Sequence, residues 1–418
     1  MTAPAGAAAP HRRPGVVLAM LLLVYSFNFL DRQILSILAM PVKADLDLSD
    51  TQLGLLGGLA FAALYSTLAI PLAMVADRTS RSWVIALSLA VWSGFTALCG
   101  TAQGFAQLFL YRLGVGVGEA GGVAPSYALI ADHFAPDKRA RALAIYSLGI
   151  PLGSAAGVLL GGAVAAAVEW RTAFVVMGVA GLLTAPLFRL LVRDRPRDRA
   201  APRTPLLPVF GLLARKPSFW LLSLGGAAGS TAGYGIAFWL PSLMMRSFGL
   251  GLAETGRFVG VLLLTGGIAG ILLGGAIADR WGRRTRRAYA LVPAIAYVAG
   301  VPLLAAGMLS GSWAAALAWF LLPQALVYAW PGPLLTAVQQ LVPGAQRATA
   351  SACFLLVNNL FGLGLGSWLV GALSEGLAPR FGSESLRYAL LLGLGFYLVA
   401  GALMAAAARV LPRDWVDG

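Results

Sequence analysis

Four charged residues lie where a membrane-crossing sequence should carry none. Asp31 and Arg32 close the segment YSFNFLDR (25–32), inside an apolar run that extends from about Val16 to Met40. Arg112 and Glu119 bracket the segment RLGVGVGE (112–119), inside another such run. Of the 17 Asp and Glu in the chain, only Asp31 and Glu119 sit this deep. The chemistry open to such groups is proton exchange and anion binding. Burial disfavours the charged form of a carboxylate, and a neighbouring arginine favours it. The conflict makes a switch, in which the carboxylate holds either the arginine or a proton. Carboxylates of this kind mark proton pathways through membranes. Guanidinium groups take phosphate or carboxylate through paired hydrogen bonds. Glu119 is the first candidate for the proton acceptor and Asp31 the second. Arg32 and Arg112 are candidates for an anionic headgroup, with simple pairing of Arg112 to Glu119 or Asp31 as an equal alternative. Each charge costs at least about 2.5–3.5 kcal/mol at that depth. A static ion network could be replaced by apolar residues without loss, so four retained charges point to work.

The elements that position these groups are helices. Asn28 and Tyr25 precede Arg32 by about one and two turns and share its side. They are candidate lining residues of the same site. Arg112 and Glu119 are close to two turns apart, on one face, about 10.5 Å along the axis. Between them Gly114, Gly116 and Gly118 leave a flank that a helix, a lipid tail or water can approach.

The 418 residues are 59% hydrophobic and 11% charged, with 51 Gly. Soluble domains carry roughly 25% charged residues, so this is an all-α polytopic membrane protein. Spans long enough to cross a bilayer fall near 15–40, 52–76, 83–103, 106–132, 140–167, 171–192, 218–246, 254–278, 287–309, 312–338, 347–376 and 385–410. The predicted organisation is a tail (1–14), a six-helix bundle (15–192), an Arg- and Pro-rich loop (193–217), a second bundle (218–411) and a tail (412–418). The net charge of +14 could suggest nucleic acid in a soluble protein, but here the basic residues alternate between loops. Arg12, Arg78, Arg81, Arg139, Arg189 to Lys216, Arg280 to Arg287, Arg347 and Arg413 fall on one side. That bias places both termini in the cytoplasm and the chain in the inner (plasma) membrane. The first span doubles as the targeting signal. Cys99 and Cys353 give neither a disulfide framework nor a metal spacing. No nucleophile with a base, metal cluster or phosphate-binding GxxxxGK[ST] run occurs, which argues against an enzyme, a bound cofactor and ATP-driven transport.

The halves repeat weakly. Ala76-Asp77-Arg78 follows the second span and Ala278-Asp279-Arg280 the eighth. The second copy, GGAIADRWGRR (274–284), closely resembles the loop motif of the major facilitator superfamily. AMVADRTSR (73–81) is a looser copy, lacking the glycine four residues before Asp77. Within the superfamily, FNFLDRQILS (27–36), DLDLSDTQLGLLGG (45–58), RLGVGVGEAG (112–121) and YSLGIPLGSAAG (146–157) resemble the Spinster-like group. The resemblance implies the major facilitator fold, with twelve transmembrane helices in two six-helix halves, working by alternating access. It implies that the first and fourth spans line a central cavity, so that Asp31, Arg32, Arg112 and Glu119 share one site. It also implies that Asp77 with Arg81, and Asp279 with Arg283 or Arg284, latch the halves at the cytoplasmic edge, joined by Asp132 and Arg139. His133 reads as inert.

The fifth span, GIPLGSAAGVLLGG (149–162), resembles the glycine-proline motif of superfamily exchangers with the order changed. It reads mainly as close packing. The second half has no deep acid. Asn358 and Trp330 are its candidate substrate contacts, and breaks are predicted at FWLP (238–241) and YAWPGP (328–333). One charged half and one apolar half suit an amphiphile. The leading expectation is a proton-coupled transporter of an amphiphilic or lipid-like molecule of the lysolipid or sphingolipid type, as the animal Spinster-like proteins are. The alternatives are a proton symporter for small organic anions, such as sugar or aromatic acids, and a passive facilitator. The expected partners are that substrate, protons and membrane lipid, with no nucleic acid, and the chain is expected to act as a monomer.

Overall fold

The computed structural model describes residues 14–194 and 206–416; the tail to residue 13, the middle of the predicted loop and residues 417–418 lie outside it. The described residues form helices and no strand. The first six spans are Pro14–Leu46, Asp50–Arg78, Arg81–Cys99, the pair Phe105–Glu119 and Val123–His133, the pair Pro136–Ser147 and Gly149–Ala167, and Trp170–Leu191. The last six are Pro217–Phe248, Leu252–Gly282, Ala288–Leu309, Trp313–Gln339, the run from Arg347 to Phe381, and the pair Ser385–Gly393 and Gly395–Asp414. All twelve sit where hydropathy puts them. Nine helical runs among the described residues are long and apolar enough to cross a membrane. The eleventh and twelfth spans merge into one of these, and the fourth and seventh fall short. Those two are interior: the fourth carries the buried Arg112 and Glu119, and the seventh buries 20 of its 32 residues.

Local chemistry sets the ends. Ser49 and Gln52 form a capping box ahead of the second span, satisfying backbone donors that the first turn leaves open. Ser80 caps the third span and Ser312 the tenth. Gly249, at φ 69°, closes the seventh in the left-handed conformation that glycine adopts freely. Inside the predicted loop, Leu206–Ala214 is a helix, because its apolar residues bury Val209 and Leu213.

Close packing rests on glycine. On the fifth span Gly149, Gly153, Gly157 and Gly161 recur every four residues and meet Tyr25, Ser26, Leu30 and Ile34 of the first. A methyl group at Gly153 would lie 2.1 Å from the Ser26 carbonyl oxygen. Gly116 and Gly118 likewise press the fourth span onto the backbone of Phe61 and Trp92. Small residues give helices in lipid this closeness, and it is what brings the first, second and fourth spans around one point.

The tenth span breaks at 328–330 as YAWPGP predicts, restarting at Pro331. The seventh does not break at FWLP: Pro217–Phe248 is continuous through Pro241. Pro241 removes one backbone hydrogen bond, but packing holds the helix, with the fully buried Trp239 donating its indole N–H to the Ser367 carbonyl at 2.8 Å. The second span is interrupted at Gly58 and the fifth at Leu148, while the eighth and eleventh carry π turns at Leu263–Gly267 and Asn359–Leu363.

The halves lock together at the end opposite the basic loops. Asp50 there accepts two bonds from Arg246, at 2.6 and 2.7 Å, one from Ser374 at 2.7 Å, and a short one from Lys43. Beside it Thr51 hydrogen-bonds Glu375. Asp50 is 5% exposed, and removing one partner of a buried charge pair costs about 2–5 kcal/mol. The Asp50→Asn variant is therefore expected to melt several degrees lower in detergent. Thr51→Val, which removes one rim contact, is expected to melt nearly as the parent does; equal melting of all three would contradict the clamp.

Candidate functional site

Arg32 and Glu119 form an ion pair inside the first half, Nε to Oε2 at 3.0 Å. The same oxygen accepts a 2.8 Å bond from the Asn28 side-chain amide. Glu119 is fully buried, and its other oxygen, Oε1, has no hydrogen-bond partner among the described residues. The helix ends at Glu119, so the acid sits at a break in the fourth span. Its burial follows from Gly118 and Gly116, which let the third and second spans close over it.

Arg32 faces the other way as well. Its guanidinium lies 4.6 Å from the ring centre of Phe61, 4.7 Å from Tyr65 and 5.0 Å from Phe29. A cation over aromatic faces gains about 0.5–2 kcal/mol per site, more when desolvated. These rings therefore hold the guanidinium at the wall even when its carboxylate partner changes state. Phe61 also lies 5.8 Å from the Arg112 guanidinium, so one ring faces both cations.

Arg112 hydrogen-bonds neither carboxylate. It donates to the backbone carbonyls of Asp31 at 3.3 Å and Leu56 at 3.4 Å. Leu56 is in the last turn before the Gly58 interruption, where carbonyls lack intrahelical partners. Arg112 thus ties the first span to the broken second span. Asp31 turns away from Arg32. It is 1% exposed, neither oxygen has a hydrogen-bond partner among the described residues, and Arg112, Glu119, Thr96 and Trp92 surround it. The four charges are close together but fall into two layers.

A cavity of about 340 Å³ lies between the halves. Arg32, Arg112 and Gln33 reach it from the first half, and Tyr234, Phe238, Tyr328 and Trp330 from the second. Most of its wall is apolar. Trp330, a candidate substrate contact from the sequence, lines the cavity. Tyr25, Asn28 and Asn358 are not in the wall: Tyr25 stacks on Tyr146 at 4.3 Å, Asn28 holds Glu119, and Asn358 accepts a 2.9 Å bond from Ser230, which does face the cavity. Phe29, Phe61 and Tyr65 escaped the sequence reading. Their spacing on helices, Phe29 three residues before Arg32 and Phe61 four before Tyr65, was the available signal.

At the basic end Arg81 bonds both Asp77, at 3.0 Å, and Asp132. Arg139 instead donates to the Phe134 carbonyl at 2.9 Å, and Asp279 accepts from the Tyr289 hydroxyl at 3.4 Å; Arg283 follows it at the end of the eighth span.

The model of the Major Facilitator Superfamily matches residues 21–367. An MFS-type efflux pump of Mycolicibacterium smegmatis is 36% identical over 94% of this chain and 92% of its own. The human protein spinster homolog 1 is 28% identical over 96% of this chain and 82% of its own. In structure, a bacterial homolog to the human lysosomal transporter Spinster, in an inward-facing and occupied conformation, superposes with a TM-score of 0.87 at 30% identity, covering 98% of this chain and all of that one.

The layering gives a stability contrast. Glu119→Ala strands the Arg32 charge and is expected to cost about 3–5 kcal/mol. Asp31→Asn removes no ion pair at hydrogen-bond distance and is expected to cost less than Glu119→Ala. Thermal unfolding in lipid nanodiscs checks both; equal losses would contradict the two-layer arrangement.

Proposed function

The chain belongs to the major facilitator superfamily and is homologous to the Spinster proteins, and on that premise we propose that it is a proton-coupled secondary transporter of an amphiphilic, lipid-like anion. The observation that carries this is the Arg32–Glu119 pair at the edge of a largely apolar cavity. An anionic headgroup entering the cavity competes with Glu119 for Arg32. A buried carboxylate that loses its arginine is costly while charged, so it takes up a proton. Headgroup and proton therefore bind together, and the apolar wall receives the body of the substrate. Arg112 adds positive potential to the same wall, and Asp31, lacking a hydrogen-bond partner, is the second candidate for carrying the proton.

Alternating access follows from the ends. The Asp50–Arg246 clamp closes one end. The basic loops at the other face the cytoplasm by the positive-inside rule, so the clamped state opens inward, like the bacterial relative's. Opening outward requires release of Asp50 and closure at the basic end, where Asp77, Arg81, Asp132, Arg139, Asp279 and Arg283 supply the contacts. The site is in the inner membrane, one chain holds all of it, and no cofactor is called for.

Uptake into proteoliposomes under an imposed pH gradient tests this reading, with a lysophospholipid and a sugar acid compared side by side. Glu119→Gln is expected to reduce proton-driven lysophospholipid transport by about tenfold or more, the loss implied by a charge-assisted contact of about 1.5–3 kcal/mol, and to flatten its pH dependence. Unchanged pH dependence would overturn the role of Glu119. Transport of the sugar acid alone would favour the small-anion alternative, and transport indifferent to the gradient a facilitator.

A further inference from the structure

The wall of the second half is apolar by area but carries buried phenols. Tyr297 and Tyr397 stack at 5.0 Å between ring centres. Each is 1% exposed, and neither hydroxyl has a hydrogen-bond partner among the described residues. A buried hydroxyl without a partner is destabilising, and phenylalanine would fill the same space without that cost. Two such hydroxyls side by side call for an explanation.

Both point at one strip of the seventh span. A methyl group at Gly229 would lie 2.6 Å from the Tyr297 hydroxyl, and one at Gly233 would lie 3.3 Å from the Tyr397 hydroxyl. Gly229 and Gly233 are four residues apart, on one helical face, and both line the central cavity, as does Tyr397 itself. Glycine at these two positions makes the room in which the hydroxyls sit, enclosed and without a partner among the described residues, at the edge of that space, with Tyr397 in its wall and Tyr297 stacked against it. The phenols also continue across the cavity. Tyr328 and Tyr234 line the same cavity as Tyr397, and Tyr234 lies beside Arg32. Gln324 adds an amide to the same wall.

We propose that Tyr397, in the cavity wall against Gly233, and Tyr297, stacked on it against Gly229, form a second polar subsite whose unpartnered hydroxyls bond a hydroxyl, carbonyl or amide on the body of the substrate. Resting on the reading of the site as one for amphiphilic anions, this narrows the class: the preferred substrate is bipolar, anionic where it meets Arg32 and oxygenated where it meets the phenols. An unsubstituted alkyl chain leaves both phenols unpaired and binds more weakly. A site built to bond a hydroxyl rejects the analogue that lacks it, because its own polar groups stay buried and unsatisfied.

Binding of stearate and of a panel of monohydroxylated stearates tests this in nanodiscs, read by the fluorescence of Trp330, which lines the cavity. At least one hydroxylated chain is expected to bind about fivefold or more tightly than stearate, the ratio one buried hydrogen bond supplies. Tyr397→Phe is expected to erase that preference while leaving stearate affinity and the melting temperature unchanged or raised. Gly233→Ala, which crowds the hydroxyl, is expected to reduce the preference in the same direction. Equal binding of all chains by the parent and by Tyr397→Phe would overturn the subsite and leave the amphiphile reading standing. Failure of every chain to bind would overturn both.

Discussion

Everything in this chain turns on one buried contact, the Arg32–Glu119 pair. Neither charge can stand alone in a bundle that lipid surrounds. Taking one partner away leaves the other to find a new ligand or change its charge. Glu119 is fully enclosed, whereas Arg32 reaches the cavity through a ring of Phe29, Phe61 and Tyr65. The asymmetry of exposure assigns the proposed roles: the acid answers to protons, the guanidinium to whatever enters the cavity.

The rest of the fold makes that contact possible. Glycine on the fourth and fifth spans brings three backbones close enough to bury the pair. Arg112, bonded to the carbonyls of Asp31 and Leu56, secures the broken second span beside it. At the far end Asp50 gathers Arg246, Lys43 and Ser374 and holds the halves together. The cavity is thus closed on one side by charge and walled on the other by aromatic side chains of the second half. Interruptions in the second, fifth, eighth and eleventh spans lie on the seams between halves. There a methyl group at Gly58 would lie 2.6 Å from the Gly364 carbonyl oxygen, and one at Gly267 would lie 3.2 Å from Pro151. Irregular turns inside helices often sit at functional sites.

Much of this was legible in the sequence. Twelve hydropathy runs located twelve spans, because a lipid environment forces backbone groups into helices and leaves hydropathy as the dominant signal. The deep charges were equally plain, since each is an exception to that rule. What hydropathy does not carry is direction around a helix. Asp31 and Arg32 are neighbours in sequence, yet they point into different layers, and Tyr25 and Asn28 support the wall without joining it. FWLP looked like a break because proline usually ends a helix; the packing of Trp239 that holds it comes from the eleventh span, far away in sequence. Asp50 looked like a loop acid, and its three partners from the second half and the end of the first span were invisible before folding. The phenol pair was hidden for the same reason: tyrosines 297 and 397 are a hundred residues apart.

The most direct measurement is proton movement on binding, made on the purified protein in weakly buffered solution with no gradient imposed. Saturating it with an anionic lysophospholipid is expected to draw protons from solution, because the headgroup takes Arg32 and leaves Glu119 to be neutralised. The Glu119→Gln variant, where it binds, is expected to draw none. Proton release on binding, or binding with no proton movement in the parent protein, would contradict the coupling of headgroup and proton through this pair.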